Sequence, residues 1–193
     1  SINTPNSILL NNLQNCSYNP FDSFHSKFGY KPNLFMKPCE DGSSIDIFKI
    51  SNDEDYKKAK LNCLNLEREF IFEEEIGGRE FTVTIIGNQC YPVIEIKTKN
   101  DFYDYDAKYI SDDTILDQAK LSDNELNTIN DIALRAFCAL KCSGWARVDI
   151  IQDINGNFNV IEINTVPGMT SHSCVPKSGS FMDLSYQDVI KEI

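Results

Sequence analysis

Arg147, Asp149, Glu162 and Asn164 flank an Asn155-Gly156 pair within the stretch W-A-R-V-D-I-I-Q-D-I-N-G-N-F-N-V-I-E-I-N (145–164). Asn-Gly between alternating apolar runs signals a hairpin, because both residues accept the positive φ that a tight turn requires. A two-residue turn there sets residue 154 against 157, and therefore Asp149 against Glu162 and Arg147 against Asn164. Side chains alternate along a strand, so all four project from one face. Two carboxylates across a strand pair repel unless a cation sits between them. Hard oxygen donors beside an amide suit Mg²⁺ or Mn²⁺, usually shared with substrate phosphates. The competing reading is a solvated polar sheet face with charges scattered by chance. On the metal reading, Asp149→Asn relieves the repulsion, and apo stability is expected to stay level or rise slightly.

A second cluster is Lys37 followed by Gly42-Ser43-Ser44. A lysine at a strand end offers a point charge, and a glycine-serine tip offers backbone N–H groups and hydroxyls to phosphate oxygens. A surface hairpin with a convenient lysine explains the same residues, and the spacing is not that of a P-loop. Tyr103, Tyr105, Lys108 and Tyr109 form an aromatic segment that could equally pack against a sheet. The seven cysteines are scattered without paired C-x-x-C spacing, and only His25 and His172 could join them. That pattern favours neither a disulfide framework nor a zinc site.

The elements that must position these groups are short. Ile8 to Leu10 reads as a strand, followed by an irregular polar segment to Lys31. Residues 33–37 and 45–50 form a hairpin, and Ser51 or Asn52 caps a helix over 53–66. Strands follow at 70–76, 80–86 and 91–97, with Gly77-Gly78 as a break. Ser122 and Glu125 have capping-box spacing before an apolar stripe of Leu126, Ile129, Ile132, Ala133, Ala136, Phe137 and Leu140. The 145–164 hairpin comes next, and a last helix starts at Ser185. Hairpins interrupted by helices, without steady strand-helix alternation, predict an α+β fold of antiparallel sheets.

The 193 residues suffice for one large domain or two small lobes. A net charge of −11 makes duplex nucleic acid and anionic membranes poor partners, so an anionic ligand needs a local positive cluster. No run of about 18 apolar residues and no charged-then-apolar leader is present, and the expectation is a cytoplasmic protein.

Taken together, the motifs resemble the D-alanine–D-alanine ligase family of ATP-grasp enzymes. The matching strings are K-P-C-E-D-G-S-S (37–44), E-E-E-I-G-G-R-E-F-T-V (73–83), F-Y-D-Y-D-A-K-Y (102–109), G-W-A-R-V-D (144–149) and E-I-N-T-V-P-G-M-T-S-H-S (162–173). The resemblance implies two lobes enclosing a nucleotide cleft. Residues 1–76 would form the central lobe with its phosphate-covering loop, and 77–193 the C-terminal lobe with the metal hairpin. ATP would be the co-substrate, with Lys37, Lys108, Ser43 and Ser44 on its phosphates. Strand residues Glu73, Glu74 and Ile76 would meet adenine, and Glu80 the ribose. Asp149, Glu162 and Asn164 would hold two Mg²⁺ or Mn²⁺ ions. Arg147, with the backbone near Gly168, would stabilise the tetrahedral intermediate. Tyr103, Ser173 and Cys174 would help to bind D-alanine, and Ser43 and Tyr109 would link two flexible loops. Full-length members are commonly homodimers.

Three departures accompany the resemblance. Glu74 stands where some members carry lysine, Cys174 replaces a usual leucine, and the family's N-terminal lobe has no counterpart in these residues. The last implies a fragment that binds nucleotide and turns over poorly. The alternatives are another ATP-grasp carboxylate–amine ligase or a non-catalytic nucleotide-binding module.

Overall fold

The computed structural model describes residues 1–11, 13, 18–40, 46–63, 68–98 and 114–193. Ser43, Ser44, Tyr103, Lys108 and Tyr109 lie outside the described residues. The described residues form two compact units, one within 5–75 and one comprising 1–4, 76–98 and 114–193.

The 5–75 unit contains β1 (Ser7–Leu10), α1 (Pro20–Phe28), β2 (Leu34–Pro38), β3 (Phe48–Ile50), α2 (Asp53–Cys63) and β4 (Phe70–Glu74). Its sheet runs β1-β4-β2-β3, antiparallel throughout. Leu34 and Met36 of β2 turn inward with Ile50, Phe70 and Phe72, and Phe24 of α1 joins them in the core. Helix α1 replaces the irregular segment that the sequence suggests. The Asn19 carboxamide accepts from the N–H groups of Phe21 (2.9 Å) and Asp22 (3.1 Å), Pro20 occupies the first turn, and Gly29 closes the helix at φ 86°. Nine residues are too few for a helix to persist on propensity, so burial of Phe21 and Phe24 supplies its stability.

The other unit contains β5 (Gly78–Ile86), β6 (Gln89–Cys90), β7 (Ile94–Lys97), β8 (Ile115–Gln118), α3 (Asp123–Ala139), β9 (Trp145–Asp153), β10 (Phe158–Asn164), α4 (Cys174–Ser180) and α5 (Tyr186–Glu192). Its sheet order is β10-β9-β5-β7-β8, with β6 paired to β5, again antiparallel. Strand β8 and helix α4 have no counterpart among the predicted elements. Gly78 does not break the chain but begins β5 against Asp153. Any Cβ there would meet the Gln152 carbonyl oxygen at 1.8 Å, which only glycine avoids. Phe81, Val83 and Ile85 alternate inward with Ala146, Val148 and Ile150, packing with Ile129, Ala133, Ala136 and Phe137 of α3. The opposite face carries Glu80, Thr82 and Thr84 of β5 and Arg147 and Asp149 of β9.

Helix α3 starts on the predicted capping box. The Ser122 hydroxyl and N–H both donate to Glu125, at 2.7 and 2.9 Å, and the Glu125 N–H returns to the hydroxyl at 3.4 Å. Those Ser122 bonds, with Gln152 adding another, pull the Glu125 carboxyl from its usual 4.5 to about 2. A carboxyl pKa lowered by folding adds stability above its unfolded value and loses it as pH falls through the folded value. Thermal melts are therefore expected to show a decline between about pH 4.5 and about 2 that is shallower in Ser122→Ala. Equal acid slopes in the two proteins would contradict this coupling. Among the described residues, no helix is long and apolar enough to cross a membrane.

Candidate functional site

The pairing of Asp149 with Glu162 and of Arg147 with Asn164 is present, but a different backbone route produces it. The hairpin does not turn in two residues. Asp153 N–H donates to the Asn157 carbonyl at 2.8 Å, leaving Ile154-Asn155-Gly156 as a three-residue loop with Gly156 at φ 85°. The Asp153 carboxylate accepts from the N–H groups of Asn155 and Asn157, both at 2.8 Å, and fixes this loop. Phe158 therefore faces Gln152, one residue out of the register a two-residue turn sets. A β-bulge between Val160 and Glu162 then restores it, with Ile161 as the extra residue. Without the bulge, Glu162 and Asn164 would leave the Asp149 face.

On that face the four predicted side chains meet. The Arg147 fork grips Asp149, Nε to Oδ1 at 2.9 Å and Nη2 to Oδ2 at 2.7 Å. The Asn164 Nδ2 donates to Asp149 Oδ2 at 3.1 Å and to Glu162 Oε1 at 3.3 Å. Asp149 is only 5% exposed, while Glu162 reaches solvent. The cation between the carboxylates is therefore partly supplied by the chain. The pair removes the premise of unneutralised repulsion behind the expectation that Asp149→Asn leaves apo stability level: the substitution would strip a buried guanidinium of its counter-charge. Burial by itself would lower the Arg147 pKa, but the adjacent Asp149 charge and hydrogen bonds outweigh it and hold the guanidinium above its ordinary value, with Cys174 and Glu162 adding to the effect.

Thr82, which the motif reading did not single out, also reaches Asp149. It lies across β5 from that residue, and its hydroxyl donates to Oδ1 at 2.6 Å. Only the long-range β5–β9 pairing reveals it.

Downstream of β10, Gly168 and Ser173 share one tight loop. The Ser173 hydroxyl accepts from the Thr170 N–H at 3.0 Å and would touch a Cβ on Gly168 at 3.0 Å. Cys174 is buried at the start of α4. Glu80 is half-buried on β5, and Ile76 precedes that strand.

In the 5–75 unit, the sheet face opposite the core carries charge. Lys37 Nζ lies 2.6 Å from Glu73 Oε2 on the adjacent strand, both largely buried. Glu74 accepts the Asn6 N–H at 2.8 Å and the Tyr30 hydroxyl. Glu75 is partly desolvated, but Lys49 at 2.7 Å and the Asn33 amide hold its carboxyl below the usual range. The structure thus brings Lys37 and Glu73 together, whereas Glu74 is tied into the β1 and α1 end of the unit.

Among the described residues, no three His, Cys, Asp or Glu side chains cluster as a metal site. The hairpin offers two carboxylates and an amide, a donor set that fits a hard cation completed by phosphate and water oxygens rather than an all-protein cage. A cavity of about 300 Å³ beside Cys90, Gln118 and Asn130 contains none of the candidate residues.

Residues 6–193 match the family model described as D-ala D-ala ligase C-terminus. The chain belongs to this ligase family. Over 161 residues it is 38% identical to the D-alanine–D-alanine ligase of Mannheimia succiniciproducens, covering 83% of the chain but 52% of that relative. D-alanine–D-alanine ligase from Bacillus anthracis, solved in complex with ATP, superposes with a TM-score of 0.80 at 28% identity, over 100% of this chain and 59% of that one. VanG D-Ala:D-Ser ligase from Enterococcus faecalis gives a TM-score of 0.80 at 27% identity, over 99% of this chain and 56% of that one. The α+β architecture is that of the ATP-grasp ligases, and the chain spans about half the length of the curated relatives it matches.

Proposed function

We propose that this chain carries nucleotide- and metal-binding machinery of a ligase that joins two D-alanines at the expense of ATP. The observation that supports it is the convergence of Arg147, Asp149, Glu162 and Asn164 on one face of β9–β10. Asp149, Glu162 and Asn164 would hold Mg²⁺ or Mn²⁺, which when bound neutralises phosphate charge. Lys37 would exchange Glu73 for an ATP phosphate oxygen. Glu73, Glu74 and Ile76 would lie along the adenine and Glu80 at the ribose. In the reaction, a D-alanine carboxylate attacks the γ-phosphate to give an acylphosphate and ADP. The amine of a second D-alanine then attacks the acyl carbon and phosphate leaves. Arg147 would donate to the oxyanion formed in that attack, and Gly168, Ser173 and Cys174 would bound the acceptor's position.

The first D-alanine's ammonium has no partner assigned to it in these 193 residues. Each charge-assisted contact to so small a substrate contributes about 1.5–3 kcal/mol, and misplacement of the reacting groups costs about 10²-fold in rate. These residues alone are therefore expected to bind nucleotide but form little dipeptide. Phosphate release and dipeptide formation would be followed with ATP, Mg²⁺ and D-alanine, beside a full-length relative. Dipeptide at a rate near the relative's would refute the limit on turnover. No phosphate release by this chain, together with no nucleotide binding, would refute the function. An arm with D-serine as second substrate distinguishes the two acceptors named for the relatives.

A further inference from the structure

Two threonines of β5 occupy the same face, two residues apart, and each is 1% exposed. Thr82 faces Asp149 and Thr84 faces Arg147. Their hydroxyls differ in one respect. Thr82 donates to Asp149 Oδ1 at 2.6 Å, whereas Thr84 Oγ1 is buried without a hydrogen-bond partner among the described residues.

We propose that Thr82 is a positioning residue, whose hydroxyl holds the Asp149 carboxylate in the orientation that presents it to a divalent cation beside Glu162 and Asn164. The inference rests on the metal reading given above. A carboxylate rotates softly about its last torsion, so its plane must be set by its donors. Arg147, Asn164 and Thr82 set it in the present arrangement, but a guanidinium and a divalent cation carry the same sign of charge. A cation on Asp149 therefore weakens the Arg147 fork, which in the proposed reaction is also needed elsewhere. Thr82 is neutral, buried and anchored on the neighbouring strand. It can remain a donor to Asp149 Oδ1 when the cation arrives, beside the Asn164 amide on Oδ2, which is how outer partners orient metal-binding carboxylates.

The test is calorimetric titration with ADP, in Mg²⁺ and in EDTA, of the unaltered chain, Thr82→Val, Thr82→Ser, Thr82→Ala and Thr84→Val. Valine keeps the shape and suits a strand. Thr82→Val is expected to lose about tenfold of the affinity that Mg²⁺ adds, with affinity in EDTA within about twofold of the unaltered chain. Thr82→Ser should restore the Mg²⁺ increment, and Thr84→Val should retain it, since its hydroxyl has no hydrogen-bond partner among the described residues. A full increment in Thr82→Val, or equal losses in Thr82→Val and Thr84→Val, would overturn the role of Thr82 alone. Should Thr82→Val not fold, a loss in Thr82→Ser as large as in Thr82→Ala would overturn it as well. No Mg²⁺ increment in the unaltered chain would overturn the metal reading and this inference with it.

Discussion

Asp149→Asn is expected to lower the stability of the unit built on β5–β10 by about 3 kcal/mol, near the lower end of the cost of breaking a buried ion pair. Arg147 and Asp149 are largely buried, their side chains 14% and 8% exposed, so solvent screens little of the interaction. The substitution removes the charge that offsets desolvation of the guanidinium. An amide oxygen can still accept one of its bonds, which keeps the loss from being larger. Thermal or urea unfolding of the two proteins measures it. The double substitution Arg147→Met with Asp149→Leu removes both charges, and its stability should recover only part of that loss, because the Thr82 hydroxyl and the Asn164 amide lose their acceptor. An Asp149→Asn protein as stable as the parent would show that carboxylate repulsion, rather than the Arg147 pair, governs this face.

Glu162→Gln should behave in the opposite manner. Its side chain reaches solvent, so the change in stability is expected to fall within about 0.5 kcal/mol. Removing a proposed cation ligand should nevertheless abolish most of the Mg²⁺-dependent gain in nucleotide affinity, since even outer partners cost about 10–100-fold. Titration with ADP in Mg²⁺ and EDTA reads the gain, and melting temperature reads the fold. The contrast is informative because the two carboxylates face each other across one strand pair. An unchanged gain in Glu162→Gln would remove this residue from the site.

Local patterns carried much of this structure. The capping box at Ser122, the helix start at Ser185, the apolar stripe of α3 and the strands around Asp149 and Glu162 all follow from neighbours within a few residues. Helix α1 was also written locally, in Asn19, Pro20 and Gly29, but its polar surroundings masked a short phenylalanine face. The hairpin shows a subtler limit. Asn155-Gly156 announced a turn, yet the Asp153 carboxylate drew the chain into a longer loop, and the bulge at Ile161 cancelled the shift. The pairing at the site was right because two departures compensated. Thr82 could not be found this way, since its partner lies 67 positions away and only the assembled sheet joins them. The Arg147–Asp149 grip was hidden for another reason: adjacent positions on one strand face announce proximity but not which neighbour a guanidinium will choose.

The most direct test of the account is calorimetric titration of the unaltered chain with ADP, once with excess Mg²⁺ and once in EDTA. The arrangement of Asp149, Glu162 and Asn164 predicts saturable binding of one nucleotide that is at least about tenfold tighter with the metal, in keeping with hard oxygen donors that share a cation with phosphates. Equal affinity in Mg²⁺ and EDTA would contradict the metal role of the hairpin, and no binding in either would contradict the nucleotide reading as a whole.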